Sequence, residues 1–391
     1  MKNLELKSIT PLLYDNVKEL IASGRLEGRE IIVFGANKPS ECIITFLEKE
    51  GYAIRGIVDN NGKKREMISK GLLKPINGKY MLYAPEELLC DNIENKFIVI
   101  ASKAYHDMCI QLEKMGYDTE KQTAQLLHFD IAADVDILPE NKIDVAEMKK
   151  IQIGLLDYFH EICEAGQYRH YLCGGTLLGA VRHKGYIPWD DDIDVLMPVP
   201  DYLKFISDFQ ETDTYAFQNS DTCMSPYMFT RLVNKKTVLE EENYPYVSRT
   251  GINIDIFPVS GFPSEKQEVL LFSKELIQHR NAWEEFWYAY DEREQLEERY
   301  AELAEETKEL MTRYDFETSE TVGYIVTAKL DRELMPRNCF ESTLTLSFEG
   351  KDYPVFNGYK TYLENLYGDY MKLPPLHQQV SRHSFKAWYE E

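Results

Sequence analysis

The sequence predicts two domains of different build: a doubly wound α/β module over residues 1–140, then an α+β domain with helical additions over residues 141–391. Three features point there. Apolar strands alternate with helical stretches through the first third of the chain. A polar, proline-bearing stretch, FDIAADVDILPENKIDVAE at 129–147, ends that alternation. Beyond it, a glycine turn and an aspartate-rich, strand-like run open a pattern in which strands and helices no longer alternate. At 391 residues the chain is long enough for two cores.

Within the first module, residues 10–27 carry Leu12, Leu13, Val17, Leu20 and Ile21 at helical spacing. REIIVFGANKPSECIITFLEKEGYAIRGIVDNN then reads as an apolar strand, a glycine turn, a helix and a second strand ending at Asp59, the opening of a Rossmann-like unit. FIVIAS at 97–102 and a helix from about Tyr105 to Met115 repeat the theme, closing on Gly116-Tyr117 as the first helix closes on Gly51-Tyr52. The turn at Gly35 keeps one glycine of the three a dinucleotide fingerprint needs, so no NAD is expected there. A nucleotide-sugar ligand and a purely structural or docking role both stay open.

In the second domain an amphipathic helix from Val145 to Ala165 (Ile151, Leu155, Leu156, Phe159, Ile162) leads into RHYLCGGT. DYLKFISDF reads as a short helix, YMFTRLVNKKTVL at 227–239 as a strand pair, and GINIDIFPVSGFP at 251–263 as a buried strand. Residues 265–312 are long, charged and helical, with Trp283, Phe286, Trp287 and Tyr290 on neighbouring faces. TLTLSF, PVF and a last helix in TYLENLYGDYMKLPP complete the chain.

Composition excludes several classes of function. With 44 basic and 66 acidic residues the net charge is −22, which argues against a nucleic-acid partner. The seven cysteines are scattered and show no CxxC pairing, so reduced thiols in a cytoplasmic protein are expected. No signal pattern opens the chain, and no apolar run reaches the ~20 residues of a membrane span.

The chemistry concentrates in LCGGTLLGAVRHKGYIPWDDDIDVLMP, residues 172–198. Asp190, Asp191, Asp192 and Asp194 lie within five positions, and carboxylates so dense repel unless a cation sits among them. A hard divalent ion, Mg²⁺ or Mn²⁺, suits oxygen ligands. If the run is a strand, Asp190, Asp192 and Asp194 share one face while Ile193 and Val195 face the core. Asp255, amid the apolar residues of NIDIF, is costly to bury alone, and a metal shared with Asp192 and Asp194 removes that cost. A glycine turn, a D-x-D pair and a lone acid on a neighbouring strand form the signature of the nucleotidyltransferase fold. Gly174, Gly175 and Thr176 then offer backbone N–H groups at a helix start, suited to phosphate oxygens. Arg182, His183 and Lys184, with Arg231 and Lys235 on a neighbouring strand, are candidates to neutralise phosphate. Asp190 or Asp191 is the candidate base for a hydroxyl proton.

The run GGTLLGAVRHKGYIPWDDDID, with GINIDIFP downstream and YGDYMKLPP near the end, resembles the LicD family over roughly residues 150–391. That family includes bacterial phosphocholine transferases and is related to the fukutin-type ribitol-phosphate transferases. The resemblance implies a metal-dependent phosphotransferase that moves phosphocholine from CDP-choline to a hydroxyl of a cell-surface glycan, a teichoic acid, capsular polysaccharide or lipo-oligosaccharide precursor, and releases CMP. Asp192, Asp194 and Asp255 would be the metal ligands. Tyr186, Trp189, Tyr244 and Tyr246 are candidates for an aromatic cage around a quaternary ammonium. His377 and Arg382 would close over the site from the tail, if that tail does more than pack. Lipid-linked glycan would bring the protein to a membrane surface only peripherally. The alternatives are a ribitol- or glycerol-phosphate transferase using a CDP-polyol, and a non-catalytic scaffold in a glycan-assembly complex.

Overall fold

The computed structural model describes the chain except residues 1–4, 9, 72–73, 103–104, 127–140, 244–245, 289–292, 327–329, 375–378, 380–384 and 391. It divides into two compact units: Lys7–Asp136 with Tyr244–Tyr246, and Ile137–Asn243 with Val247–Glu391 and Met1–Leu6. The sequence boundary expected near residue 140, and Tyr290, lie outside the described residues.

The first unit holds a parallel sheet of five strands in the order Leu82–Tyr83, Ile54–Val58, Glu30–Phe34, Lys96–Ile100, Thr123–Gln125. Ile31, Ile32, Val33 and Phe34 are all buried, as a central strand covered on both faces requires. The helices Lys38–Lys49 and Tyr105–Lys114 cover the sheet with Ile43, Ile44, Leu47, Cys109 and Leu112.

Gly35 turns at φ +100°, a conformation that favours glycine. The Asp59 carboxylate accepts from the Ala36 amide at 2.7 Å, and the Asn37 side chain accepts from the Ser40 amide at 2.9 Å while donating to the Ala101 carbonyl at 2.8 Å. The acid and the helix start that a dinucleotide would use are thus engaged by the protein itself. Asn37→Ala is expected to cost about 1–2 kcal/mol through loss of this cap, readable as a lower midpoint in urea denaturation.

The second unit is built on a mixed sheet of seven strands. Asn253–Phe262 is its spine, pairing antiparallel with Thr230–Asn234 and Thr321–Tyr324 and parallel with Asp194–Pro198. Asp194–Pro198 in turn pairs antiparallel with Tyr171–Leu172, and Tyr215–Gln218 extends the far side. The 22-residue helix Val145–Gly166 packs Leu155, Leu156, Phe159 and Cys163 into the core, with Asp144 capping its start. Residues 265–312 resolve into two helices, Lys266–Tyr288 and Arg293–Thr312, sealed by Trp283, Phe286, Tyr300 and Leu303. Thr343–Phe348 and Lys351–Phe356 form a hairpin, followed by the helix Tyr359–Tyr367. A closing strand, Phe385–Tyr389, pairs with Thr237–Asn243; its five residues carry too little alternation to announce it.

No described helix is long and apolar enough to cross a membrane. All seven cysteines are free, and Cys109, Cys163, Cys173 and Cys339 are buried.

Candidate active site

The spine strand and the Asp194–Pro198 strand run parallel with Asp255 in register against Asp194. Asp194 opens its strand, and Ile193 and Val195 on either side are each 1% exposed. The amide of Asp255 donates to the Ile193 carbonyl at 2.9 Å, so backbone pairing fixes the two carboxylates side by side. Asp190, Asp191 and Asp192 lie just before the strand, not on it. Their run bends back on the Asp190 amide, which donates to the Ile187 carbonyl at 2.9 Å. Alternation is therefore not what gathers them. Even so, their carboxylate oxygens lie within 4.8 Å of one another. Asp191 is buried and its carbonyl accepts from Gln152 at 3.0 Å, whereas Asp190 and Asp192 are half-buried.

The glycine turn is shaped by these acids. Cys173 precedes the helix Gly174–Arg182, and its amide donates to the Asp194 carbonyl at 3.1 Å. Gly174 sits at φ +53°, where a Cβ would come within 2.6 Å of Asp194 Oδ2. At Gly175 a Cβ would overlap Asp190 Oδ2. Both glycines therefore make room for carboxylates. Gly174→Ala combines left-handed strain with a displaced Asp194. It is expected to cost about 1–3 kcal/mol of stability, as measured by chemical denaturation.

The Gly174 amide donates to the Tyr362 hydroxyl at 3.2 Å, and the Thr176 hydroxyl accepts from the Asp194 amide at 2.9 Å. Thr176 thus holds the aspartate strand through its side chain.

Electrostatics set Asp194 apart. Burial, then the charges of Asp192, Asp255 and Asp190, hold its carboxyl well above the ordinary carboxylate range, and Arg231 opposes them. Arg231 is buried, stands opposite Asp255 in the sheet, and pairs with Asp255 at 3.0 Å and Glu241 at 2.5 Å. Its guanidinium also lies 3.6 Å from the centre of the Tyr227 ring. Burial works against that charge, but Asp255 and Glu241 more than restore it. Asn253 adds a 2.8 Å hydrogen bond to Asp255 Oδ1.

The other anticipated cations are placed differently. Arg182 ends the motif helix and donates to the Tyr370 carbonyl at 2.9 Å, tying in the C-terminal segment. His183 is half-buried, and burial, then Arg182, lower its pKa. Lys184 is exposed in the left-handed region. Lys235 lies past the end of its strand, where Glu211 at 2.6 Å and the Thr212 carbonyl at 2.8 Å engage its ammonium. Charge complementarity with Glu211 thus draws Lys235 to a partner other than the phosphate site anticipated for it.

Among the aromatics, Trp189 is half-buried, edge-on to His183 at 6.4 Å. Tyr186 is an anchor: its hydroxyl donates to Gln152 at 2.9 Å, Lys149 lies 4.6 Å from its ring centre, and its amide donates to Glu349 at 3.0 Å. Its ring face is therefore taken by a cation of the protein. Tyr244, His377 and Arg382, and the Tyr246 side chain, lie outside the described residues.

Two further residues contribute from the C-terminal part of the chain, and only Glu349 escaped sequence reasoning. Glu349, at the hairpin turn, braces the Gly185–Tyr186 loop. Tyr367 is 40% exposed beside the acids, and burial, then Asp194 and Asp190, push its phenol up. Tyr367 belongs to the YGDY segment that carries the resemblance near the C-terminus.

Comparison with known proteins shows what this centre resembles. Residues 167–301 match the LicD/FKTN/FKRP nucleotidyltransferase domain. Over 267 residues the chain is 28% identical to the lipopolysaccharide cholinephosphotransferase LicD of Haemophilus influenzae, covering 63% of this chain and 98% of that relative. Shorter matches link it to uncharacterized proteins of Rickettsia typhi, 37% identical over 62 residues, and Rickettsia prowazekii, 50% identical over 36. These span 20% and 14% of the relatives' lengths. The LicD match contains the glycine turn, all five aspartates and Arg231, while Glu349 and Tyr367 lie beyond it.

Proposed function

We propose that this protein transfers phosphocholine from CDP-choline to a hydroxyl of a cell-surface glycan precursor, with Mg²⁺ or Mn²⁺ held by Asp192, Asp194 and Asp255. The observation that carries the proposal is the parallel register setting Asp194 against Asp255, next to the Asp190–Asp192 carboxylates and the glycine turn. Homology makes the chain a transferase of phosphorus-containing groups; donor, acceptor and cation are the inferred part. We read the two units as a Rossmann-like module followed by a nucleotidyltransferase fold, in a cytoplasmic protein that meets lipid-linked glycan at the membrane surface.

The donor set fits a hard divalent ion: the ligands are all oxygen, and the negative charge exceeds what Arg231 offsets. Such an ion, when bound, neutralises the donor diphosphate and the charge developing on the leaving phosphate. The protein's own groups do the rest. The Gly175 and Thr176 amides, at the start of the motif helix, receive phosphate oxygens. Arg231 holds Asp255 in place.

The acceptor hydroxyl attacks the choline-bearing phosphorus, the bond from that phosphorus to the bridging oxygen breaks, and its electron pair leaves with CMP. The hydroxyl proton passes to a carboxylate. Asp190 suits this role better than Asp191, because its carboxylate faces the glycine turn while Asp191 is buried.

A donor panel tests the reading. With Mg²⁺ and a glycan acceptor, CMP release from CDP-choline is expected to exceed that from CDP-ribitol or CDP-glycerol. A preference for a CDP-polyol would reassign the alcohol, and no turnover of any donor on a competent acceptor would leave a scaffold.

A further inference from the structure

A second cluster of ligating side chains lies outside the acid site. His160 and Glu164 are one turn apart on the helix Val145–Gly166, hence on one face. His170 follows the left-handed Gln167 (φ 56°) that turns the chain back towards the Tyr171–Leu172 strand. The ligating atoms of His160, Glu164 and His170 lie within 4.8 Å of one another. His170 is 5% exposed, with Phe159 edge-on at 5.4 Å. Its Nδ1 is 2.9 Å from the Tyr168 carbonyl, which can only accept, so Nδ1 carries the proton. The Nε2 lone pair is thereby aimed at His160 Nδ1, 2.8 Å away. A carbonyl fixing the tautomer of a histidine so that its other nitrogen faces outward is the arrangement metal-ligating imidazoles adopt.

We propose that His160 Nδ1, His170 Nε2 and the Glu164 carboxylate form a second metal site, for zinc or a similar transition ion. Two imidazole nitrogens at ~2.1 Å from a tetrahedral ion are about 3.4 Å apart, so the pair, now 2.8 Å apart, opens by about 0.6 Å on binding. His160 meets the requirement by carrying its proton on Nε2 instead of Nδ1, and no net proton is released. Exposed Glu164 supplies the third ligand, and water completes the shell. Imidazole donors select a transition ion, whereas the all-oxygen acid site suits Mg²⁺. His170 stands four residues before Gly174. An ion here pins the turn that delivers the glycine motif, which makes the site a structural one.

The full chain, stripped with a chelator and titrated with cobalt(II), tests this without an activity readout. One ion per chain is expected to give the visible absorption of four-coordinate cobalt, and zinc is expected to displace it. His160→Ala should abolish the band. Glu164→Gln, at an exposed position where folding is unaffected, should weaken binding on the order of tenfold or more. The Asp192→Asn/Asp194→Asn double variant should keep the band. The proposal is overturned if the wild type shows no band, if His160→Ala and Glu164→Gln leave it unchanged, or if the aspartate variant loses it.

Discussion

Arg231→Met is expected to destabilise the protein by roughly 3–5 kcal/mol, because it removes a buried cation from between two largely buried carboxylates. Asp255 and Glu241, with side chains 16% and 12% exposed, both contact the guanidinium, and neither has ready access to water. Methionine fills the volume but leaves the charge. Arg231→Lys, a point charge in place of a planar fork, should recover part of the loss. Chemical denaturation at fixed ionic strength measures both variants. A cost below about 1 kcal/mol for the methionine variant would mean that the pair acts like an exposed surface bridge.

Asp194→Asn is expected to act in opposite directions on stability and turnover. In the metal-free protein Asp194 is repelled by Asp192, Asp255 and Asp190, so the amide should leave the melting temperature unchanged or raise it. The same repulsion fixes the pH dependence. A carboxyl raised in the folded state contributes stability below its unfolded pKa, and that contribution is lost as pH climbs through the raised folded value. Melting temperature without divalent ions should therefore fall with rising pH in the wild type and less steeply in the variant. Turnover should drop on the order of 10³-fold, about 4 kcal/mol of barrier, on losing the carboxylate proposed to hold the cation. Thermal melts across pH, paired with CMP release, separate the two effects.

Much of this centre is legible from local pattern. Glycine, threonine and aspartate at short spacing mark a turn and a strand start, and the apolar flanks of Asp194 and Asp255 place both on buried strands. What periodicity does not carry is the partner across the fold. Asp190–Asp192 look like a continuation of the strand, yet the strand begins at Asp194 and a turn gathers the three. Arg231 and Lys235 read alike as nearby cations; only pairing shows one on Asp255 and the other on Glu211. Tyr362 and Tyr370 return to the motif helix from far along the chain, and Glu349 reaches the loop from a hairpin turn. Such contacts are set by packing of the whole unit, which no window of sequence reports. The strand–helix alternation of the first unit, by contrast, is legible one unit at a time, although the order of its strands in the sheet is not.

The central claim is that the aspartates around Gly174 carry out phosphoryl transfer. Its most direct test measures CMP release and the mass gained by a glycan acceptor, with CDP-choline and Mg²⁺, for the wild type and Asp192→Asn side by side. The account predicts stoichiometric CMP and a glycan heavier by one phosphocholine for the wild type, and neither for the variant. Equal turnover by the two proteins would contradict it.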